Sequence, residues 1–219
     1  MLKKLLLTKE GEPNFLFLLV ALMTMIVFPL IATFFNNPAW IFHICYGIVI
    51  LTATVYSIDQ RRKITIAFVI GAIAFFSYWL EVFLDNDFSH SANLVTNFIF
   101  FIFLLVRMIL STVKEKNVTI NTLYAVSVSY LLLGMMGFWL LSFLDIMVPG
   151  SFSGNFSPYR TYDLIYFSFV TLTTLGYGDI QPLNPEGKAI CLLISIAGQL
   201  YVSFTIAVIV GKYLSQKSS

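Results

Sequence analysis

The sequence predicts an all-α membrane protein with six transmembrane helices, one re-entrant helix and one extended segment. Of its 219 residues, 58% are hydrophobic and 11% are charged, whereas soluble domains carry about 25% charged residues. Six apolar runs are close to the length of about 20 residues that a spanning helix needs, and a seventh run is too short to span. The formal net charge of +2 is too small to indicate a nucleic-acid partner.

The apolar runs follow one another with short polar connectors. The seventh run, Asp163–Thr174, suits a half-helix, which persists at membrane depth when protein or a water-filled cavity surrounds its ends. We divide the chain into a four-helix bundle over residues 1–120 and a second domain over residues 121–219. The six predicted spans are Asn14–Phe35, Trp40–Ile58, Ile64–Leu84, Asn93–Val113, Leu123–Val148 and Lys188–Leu214.

The distribution of Lys and Arg predicts the orientation, because cytoplasmic loops carry an excess of both. With the N- and C-termini in the cytoplasm, only Arg160 and Lys188 among the basic loop residues lie outside. The opposite orientation reverses this bias. The orientation with both termini in the cytoplasm places these basic residues on the cytoplasmic side: Lys3, Lys4, Lys9, Arg61, Arg62, Lys63, Lys114, Lys116, Lys212 and Lys217.

A Gly-Tyr-Gly segment, within "TLTTLGYGD" at 171–179, lies between the short helix and the last span. Glycine is favoured where the backbone adopts left-handed angles or is approached closely. With a half-helix before it and a span after it, this segment resembles the filter of the potassium-channel pore family, whose usual sequence is TVGYG. The matching residues are Thr174, Leu175, Gly176, Tyr177 and Gly178, with leucine where valine is usual.

The resemblance implies that backbone carbonyls of this segment replace the water around a potassium ion. Ions would bind at Thr174, Leu175, Gly176 and Tyr177, and Gly178 completes the segment. Because one chain supplies one wall of such a pore, the resemblance implies a homotetramer with three identical partner subunits. We also expect the side chains of the leucine and the tyrosine to turn away from the ions and to pack around the short helix.

Further family positions can be assigned around the filter. Asp179 matches the acidic residue that follows the filter, and Tyr166 matches an aromatic residue that holds this acid, so we predict a hydrogen bond between them. Gly198 lies where the family has its gating hinge. Residues four apart share a helix face, and the face that starts at Gly198 continues with Val202, Ile206 and Val210. We expect this face to line the inner cavity and to form an apolar gate.

The first four spans have the order found in voltage-gated potassium channels but lack their arginine-rich fourth span. Arg107 is the one charge in its register of every third residue, and steep gating uses about 3–4 charges per subunit. Since Arg107 lies toward the predicted cytoplasmic end, we expect its side chain to extend to the headgroups. The sequence therefore predicts a potassium-selective channel that conducts passively and is not, or only weakly, voltage-gated.

Two other classes of function were weighed. A secondary transporter with a broken helix is the alternative, but transporters often interrupt helices in both of two related halves, and this sequence has one interruption. The sequence does not support an enzymatic function, because His43 and His90 lack acidic or thiol neighbours at ligand spacing. We expect His90 to lie in a solvated loop. We expect no cofactor apart from potassium ions, and a multi-pass location in the plasma membrane among lipids.

The connector between the fourth and fifth spans, "KEKNVTINT", is short. Even fully helical, it is about 14 Å long at ~1.5 Å per residue. We therefore expect each four-span bundle to pack beside the second domain of its own chain, without exchange between subunits.

Overall fold

The computed structural model describes residues 15–33, 39–56, 64–84, 86–115, 117–157 and 160–217. In these residues the protein is almost entirely helical, and one pair of three-residue strands is present. In chain order the elements are α1 (Leu16–Thr33), α2 (Ala39–Tyr56), α3 (Ile64–Leu84), α4 (Asp87–Lys114), α5 (Ile120–Met147), β1 (Phe152–Gly154), α6 (Arg160–Leu172), β2 (Ile180–Pro182) and α7 (Pro185–Lys217).

Three of the described helices are long and apolar enough to cross a membrane: Phe88–Lys114, Ile120–Met147 and Pro185–Lys217. The apolar stretches Leu16–Phe28, Ile44–Thr54 and Phe68–Leu84 are shorter. The described helices are therefore consistent with a membrane protein, while six spans remain a prediction. The 13 residues of α6 are too few to span, since about 20 are needed.

The chain divides into two compact units. The first contains the described residues up to Glu115 together with Thr119–Val128, and the second contains the described residues of 116–118 and of Ser129–Ser219. In the first unit α1 packs against α2, α2 against α3, and α3 against α4. The second unit brings α6, β2 and α7 together.

The first unit contains a connected set of polar side chains, of which Tyr46, Asn93 and Asn97 are buried. The Tyr46 hydroxyl donates to Asn97 Oδ1 at 2.6 Å, and Asn97 Nδ2 donates to the Asn93 carbonyl oxygen at 3.0 Å. The Asn93 amide donates to Glu81, which also contacts His90. Buried polar groups of this kind are costly unless paired, and here α2, α3 and α4 pair them.

The placement of His90 differs from the sequence prediction. His90 lies in the first turn of α4 and not in a loop, and it has Glu81 of α3 as an acidic neighbour. The reason is the helix cap: the Asn86 side chain accepts a hydrogen bond from the Ser89 backbone at 2.8 Å, so α4 begins six residues before its apolar run. The side chain of His43 lies outside the described part of the chain.

The connector between α4 and α5 is shorter than the sequence predicts. Helix α5 begins at Ile120, because Thr119 and Thr122 cap it reciprocally: the Thr122 backbone N–H donates to Thr119 Oγ1 at 3.2 Å and the Thr119 N–H to Thr122 Oγ1 at 3.1 Å. Residues 115–119 are left between the two helices, so the reach available to this connector is smaller than the estimate from sequence.

Candidate functional site

Helix α6 is held in the second unit by its buried face and by close approach to α5. Its buried residues are apolar apart from Ser168, whose Oγ donates to the Gly134 carbonyl oxygen at 2.6 Å. A Cβ on Gly134 would clash with the ring of Phe169, and one on Gly137 with Ser168 Oγ. The two glycines of α5 therefore permit the contact that fixes α6.

The C-terminus of α6 turns directly into the Gly-Tyr-Gly segment. Leu172 is its last helical residue, and the N–H groups of Leu175 and Gly176 both donate to the Val170 carbonyl oxygen, at 3.0 and 3.4 Å. These bonds reverse the chain over the end of the helix. The free carbonyl end of a helix carries about half a negative charge, so this turn lies in a region of negative potential.

Alternate residues of the segment have left-handed backbone angles. The φ values are +57° at Thr174, +57° at Gly176 and +80° at Gly178, whereas Leu175 and Tyr177 have no positive φ. The sequence predicted left-handed angles at the two glycines but missed Thr174. A left-handed angle costs a non-glycine residue about 1–2 kcal/mol, so the surrounding contacts must hold this threonine in place.

The predicted hydrogen bond between Tyr166 and Asp179 is present. The Tyr166 hydroxyl donates to Asp179 Oδ2 at 2.7 Å, which joins the middle of α6 to the residue that follows the segment. This hydrogen bond raises the pKa of Tyr166 to about 12, because the neutral phenol donates to the neighbouring carboxylate and ionisation would remove that donor. At the same end, Gln181 Nε2 donates to the Gly178 carbonyl oxygen at 2.9 Å.

A small antiparallel sheet, which the sequence prediction lacked, fixes the path from the segment to α7. Strands β1 and β2 pair Phe152 with Pro182 and Gly154 with Ile180. Next to the sheet, the Leu183 N–H donates to the Ser151 carbonyl oxygen at 2.8 Å. The strands escaped prediction because each has three residues, too few for an alternating pattern to be recognised.

The N-terminus of α6 is anchored by an ion pair. Arg160 pairs with Asp145 near the end of α5, and its guanidinium lies 3.9 Å from the centroid of the Phe156 ring. The hydrogen bond to Asp145 raises the pKa of Arg160 above its usual value. The loop before α6 is held by Asp163, which accepts from the backbone N–H of Ser157 at 2.6 Å.

Helix α7 packs on the C-terminus of α6 through Gly198. This glycine is buried, and a Cβ on it would clash with the Leu172 carbonyl oxygen. Ser195 Oγ donates to the Thr171 carbonyl oxygen at 3.1 Å, and Gln199 Nε2 donates to Thr174 Oγ1 at 3.2 Å. The sequence analysis did not predict the contact between Gln199 and Thr174.

The other residues predicted to line a cavity lie on the exposed surface of α7: Val202, Ile206 and Val210. Leu175 and Tyr177 are also exposed, to 56% and 67% of their surface. Within one chain both side chains are largely uncovered, so their packing around a short helix stays a prediction.

Comparison with known proteins shows what the C-terminal part of the chain is similar to. Residues 125–215, from within α5 to the last turn of α7, match a family model described as "Ion channel". This match, together with the potassium-channel relatives described next, confirms the resemblance expected from the Gly-Tyr-Gly segment, and nothing in the comparisons supports the transporter alternative.

The individual relatives are potassium channels. The chain is 41% identical over 51 residues to the mouse potassium voltage-gated channel subfamily A member 10, which is 23% of this chain and 10% of the relative. It is 39% identical over 51 residues, again 23% of this chain, to the rabbit subfamily A member 5 and the human subfamily A member 4, covering 8% of each relative. The matched segment is thus about a tenth or less of these relatives' length. No solved structure gives a significant match.

Proposed function

We propose that this chain is one subunit of a homotetrameric, potassium-selective channel that conducts passively. The observation that carries the proposal is the alternation of left-handed angles at Thr174, Gly176 and Gly178 directly after a short helix. It occurs in the segment of the chain that matches the ion-channel family.

The proposed chemistry is replacement of the ion's hydration shell. In a regular extended strand, successive carbonyl groups point to opposite sides. When every second residue is left-handed, successive carbonyl groups can turn to the same side and face one line of ions. The carbonyl oxygens of Thr174, Leu175, Gly176 and Tyr177 would then bind potassium, with Gly178 at the outer end, as in channels whose filters are built from rings of carbonyls.

The proposed support of the filter comes from both of its ends. Tyr166 holds Asp179 by a charge-assisted hydrogen bond, which is stronger than a neutral one. The C-terminus of α6 directs its partial negative charge toward the inner end, where cations would leave the water. We propose that these contacts keep the strained backbone in its conducting form.

The surface that one chain leaves uncovered supports the proposed assembly. Leu175, Tyr177 and most of α7 are exposed and apolar, and a single filter strand surrounds no ion. We propose that four copies place these surfaces against one another around a central pore, so that three identical subunits are the partners of each chain, together with membrane lipid.

The remaining parts of the proposal concern gating and topology. Val202, Ile206 and Val210 form the proposed apolar gate, which could close by dewetting, and Gly198 is the proposed hinge. Residues 1–120 form a sensor-shaped bundle and residues 121–219 the pore domain, with both termini in the cytoplasm and the channel in the plasma membrane. Since only residues 115–119 connect α4 to α5, we propose that the bundle and the pore domain pack within the same chain.

Purified protein in a planar lipid bilayer tests the function. With potassium on one side and sodium on the other, the current should reverse near the potassium equilibrium potential and should consist of single-channel steps. A reversal potential near zero would contradict potassium selectivity. Slow, saturating flux without steps would instead favour a carrier. Native mass spectrometry should give four times the chain mass of 24.8 kDa.

A further inference from the structure

Gln199 is a polar residue in a mostly apolar stretch of α7, and its amide reaches the first residue of the filter segment. Its Nε2 donates to Thr174 Oγ1 at 3.2 Å. The preceding residue, Gly198, explains how this contact forms. Without a Cβ, Gly198 lets α7 approach the Leu172 carbonyl closely, and this approach brings the next side chain under Thr174.

The partner of this amide is a threonine that needs support. Thr174 has a φ of +57°, a region that β-branched residues rarely adopt. Its hydroxyl oxygen has two lone pairs and one proton. When the amide of Gln199 donates to one lone pair, the second is left for a cation. The hydroxyl is thereby held with an acceptor direction free, which a rotating hydroxyl would offer only part of the time.

The side-chain amide oxygen of Gln199 is a second possible contact for an ion. In the part of the chain that the structure describes, the side-chain oxygen of Gln199 has no hydrogen-bond partner, and the residue is exposed. An amide carbonyl oxygen is the same kind of ligand as the backbone carbonyls that coordinate potassium in filters. Gln199 can therefore orient one oxygen and supply another.

We propose that Gln199 is a positioning residue of the ion pathway. Its amide nitrogen orients the Thr174 hydroxyl oxygen toward the innermost ion, and its amide oxygen is a further ligand for an ion that enters from the inner cavity. This inference rests on the proposed channel function. In a tetramer, it places a ring of four amides immediately inside the ring of four threonine hydroxyls.

Barium is the probe, because it is close to potassium in size and its double charge binds the same oxygens more tightly. Block of potassium current by barium added on the cytoplasmic side is measured in bilayers for the unmodified chain and for two variants. Gln199→Leu removes both polar atoms, and we expect block about tenfold weaker, which corresponds to about 1.4 kcal/mol. Gln199→Glu should make block tighter, because its carboxylate accepts a hydrogen bond from the threonine hydroxyl, leaves both lone pairs of that oxygen free and adds negative charge.

Gln216→Leu is the matched control, since it also removes a glutamine hydrogen bond from the same helix, in this case the one that Gln216 Oε1 accepts from the Val118 N–H at 3.1 Å. It should leave barium block unchanged. Weaker block in Gln199→Leu is the discriminating readout, because an added carboxylate would attract barium whatever the glutamine does. If Gln199→Leu does not assemble, the unbranched Gln199→Met decides in its place: weaker block supports the inference, and unchanged block overturns it.

Failure of the inference and failure of the proposed function have different signatures. If the unmodified chain carries no potassium-selective current, the channel function is wrong. If it carries that current and barium block is the same in the unmodified chain and in Gln199→Leu, the function stands and the positioning role of Gln199 is overturned.

Discussion

Gly198 of α7 lies directly against the main chain of Leu172, the last residue of α6. A Cβ on Gly198 would clash with the Leu172 carbonyl oxygen and would come within 2.9 Å of its Cδ1. Helix α7 continues without interruption on both sides of the glycine. The position therefore has a packing requirement for glycine that is separate from any hinge motion, and this packing sets the distance between α7 and the start of the Gly-Tyr-Gly segment.

Gly198→Ala should destabilise the channel by displacing α6. Inserting a methyl group into a close-packed contact typically costs about 1–3 kcal/mol, and the atom displaced here belongs to a rigid helix end. We expect a lower midpoint of thermal unfolding and reduced potassium current. Gly211→Ala is the control, because nothing lies within 4 Å of its Cβ position. A variant Gly198→Ala that gates differently but unfolds like the control would contradict the packing role.

Gly178→Ala should abolish potassium selectivity or conduction. The glycine has a φ of +80°, and an alanine there costs about 1–2 kcal/mol and favours rotation of the peptide away from the ion path. Gly150→Ala is a matched control, since Gly150 has a φ of +85° with open space around it. The control should lose similar stability but keep its reversal potential. Loss of selectivity in both variants would indicate general misfolding as the cause.

Tyr166→Phe should shorten the time for which the filter conducts. The variant keeps the ring but removes the donor to Asp179, and hydrogen bonds to charged groups are worth about 1.5–3 kcal/mol; the exposure of this pair favours the lower value. We expect faster decay of macroscopic current under sustained opening, slowed by raised potassium. Asp179→Asn retains an acceptor and should decay more slowly than Tyr166→Phe. Identical decay in the unmodified chain and the Tyr166 variant would rule out this support.

Most helices could be predicted from the sequence, and their ends could not. The third apolar run, Ile64–Leu84, coincides with α3, because apolar composition alone determines a helix between two polar connectors. The starts of α4, α5 and α7 lie earlier than predicted. Asn86, Thr119 and Asn184 cap these helices with side-chain hydrogen bonds, and a search for apolar runs omits the polar first turn that follows such a cap.

In the candidate site, too, some features could be predicted from the sequence and others could not. The glycines and the Tyr166–Asp179 bond could be assigned because residue type and spacing carry the signal. The left-handed angle of Thr174 and its contact with Gln199 depend on how closely α7 approaches α6 at Gly198. That distance is a property of tertiary packing, and no local pattern in the sequence records it.

Ile206→Ser should raise the open probability of the channel. The residue is exposed on the face of α7 that contains Gly198 and Val202, where an apolar ring could exclude water from the pore. A hydroxyl there would hydrate the constriction. Val208→Ser is the control, since two residues along a helix correspond to a rotation of about 200° at 3.6 residues per turn. If Ile206→Ser leaves the open probability unchanged, the gate lies at the filter and not at this apolar ring.

Voltage should have little effect on the open probability. A unit charge that crosses the whole membrane field gains about 2.3 kcal/mol per 100 mV, and the Arg and Lys residues of α4 are Arg107 in its second half and Lys114 in its last turn. Arg107 is half-buried in the second half of the helix, so it could cross only part of the field.

We expect open probability to change gradually between about −100 and +100 mV, and Arg107→Gln to leave the slope of this voltage dependence unchanged. Lys114→Gln, at the end of the same helix, is the control for loss of a cation outside the field. A steep voltage dependence that Arg107→Gln removes and Lys114→Gln preserves would identify the arginine as a sensor and contradict this prediction.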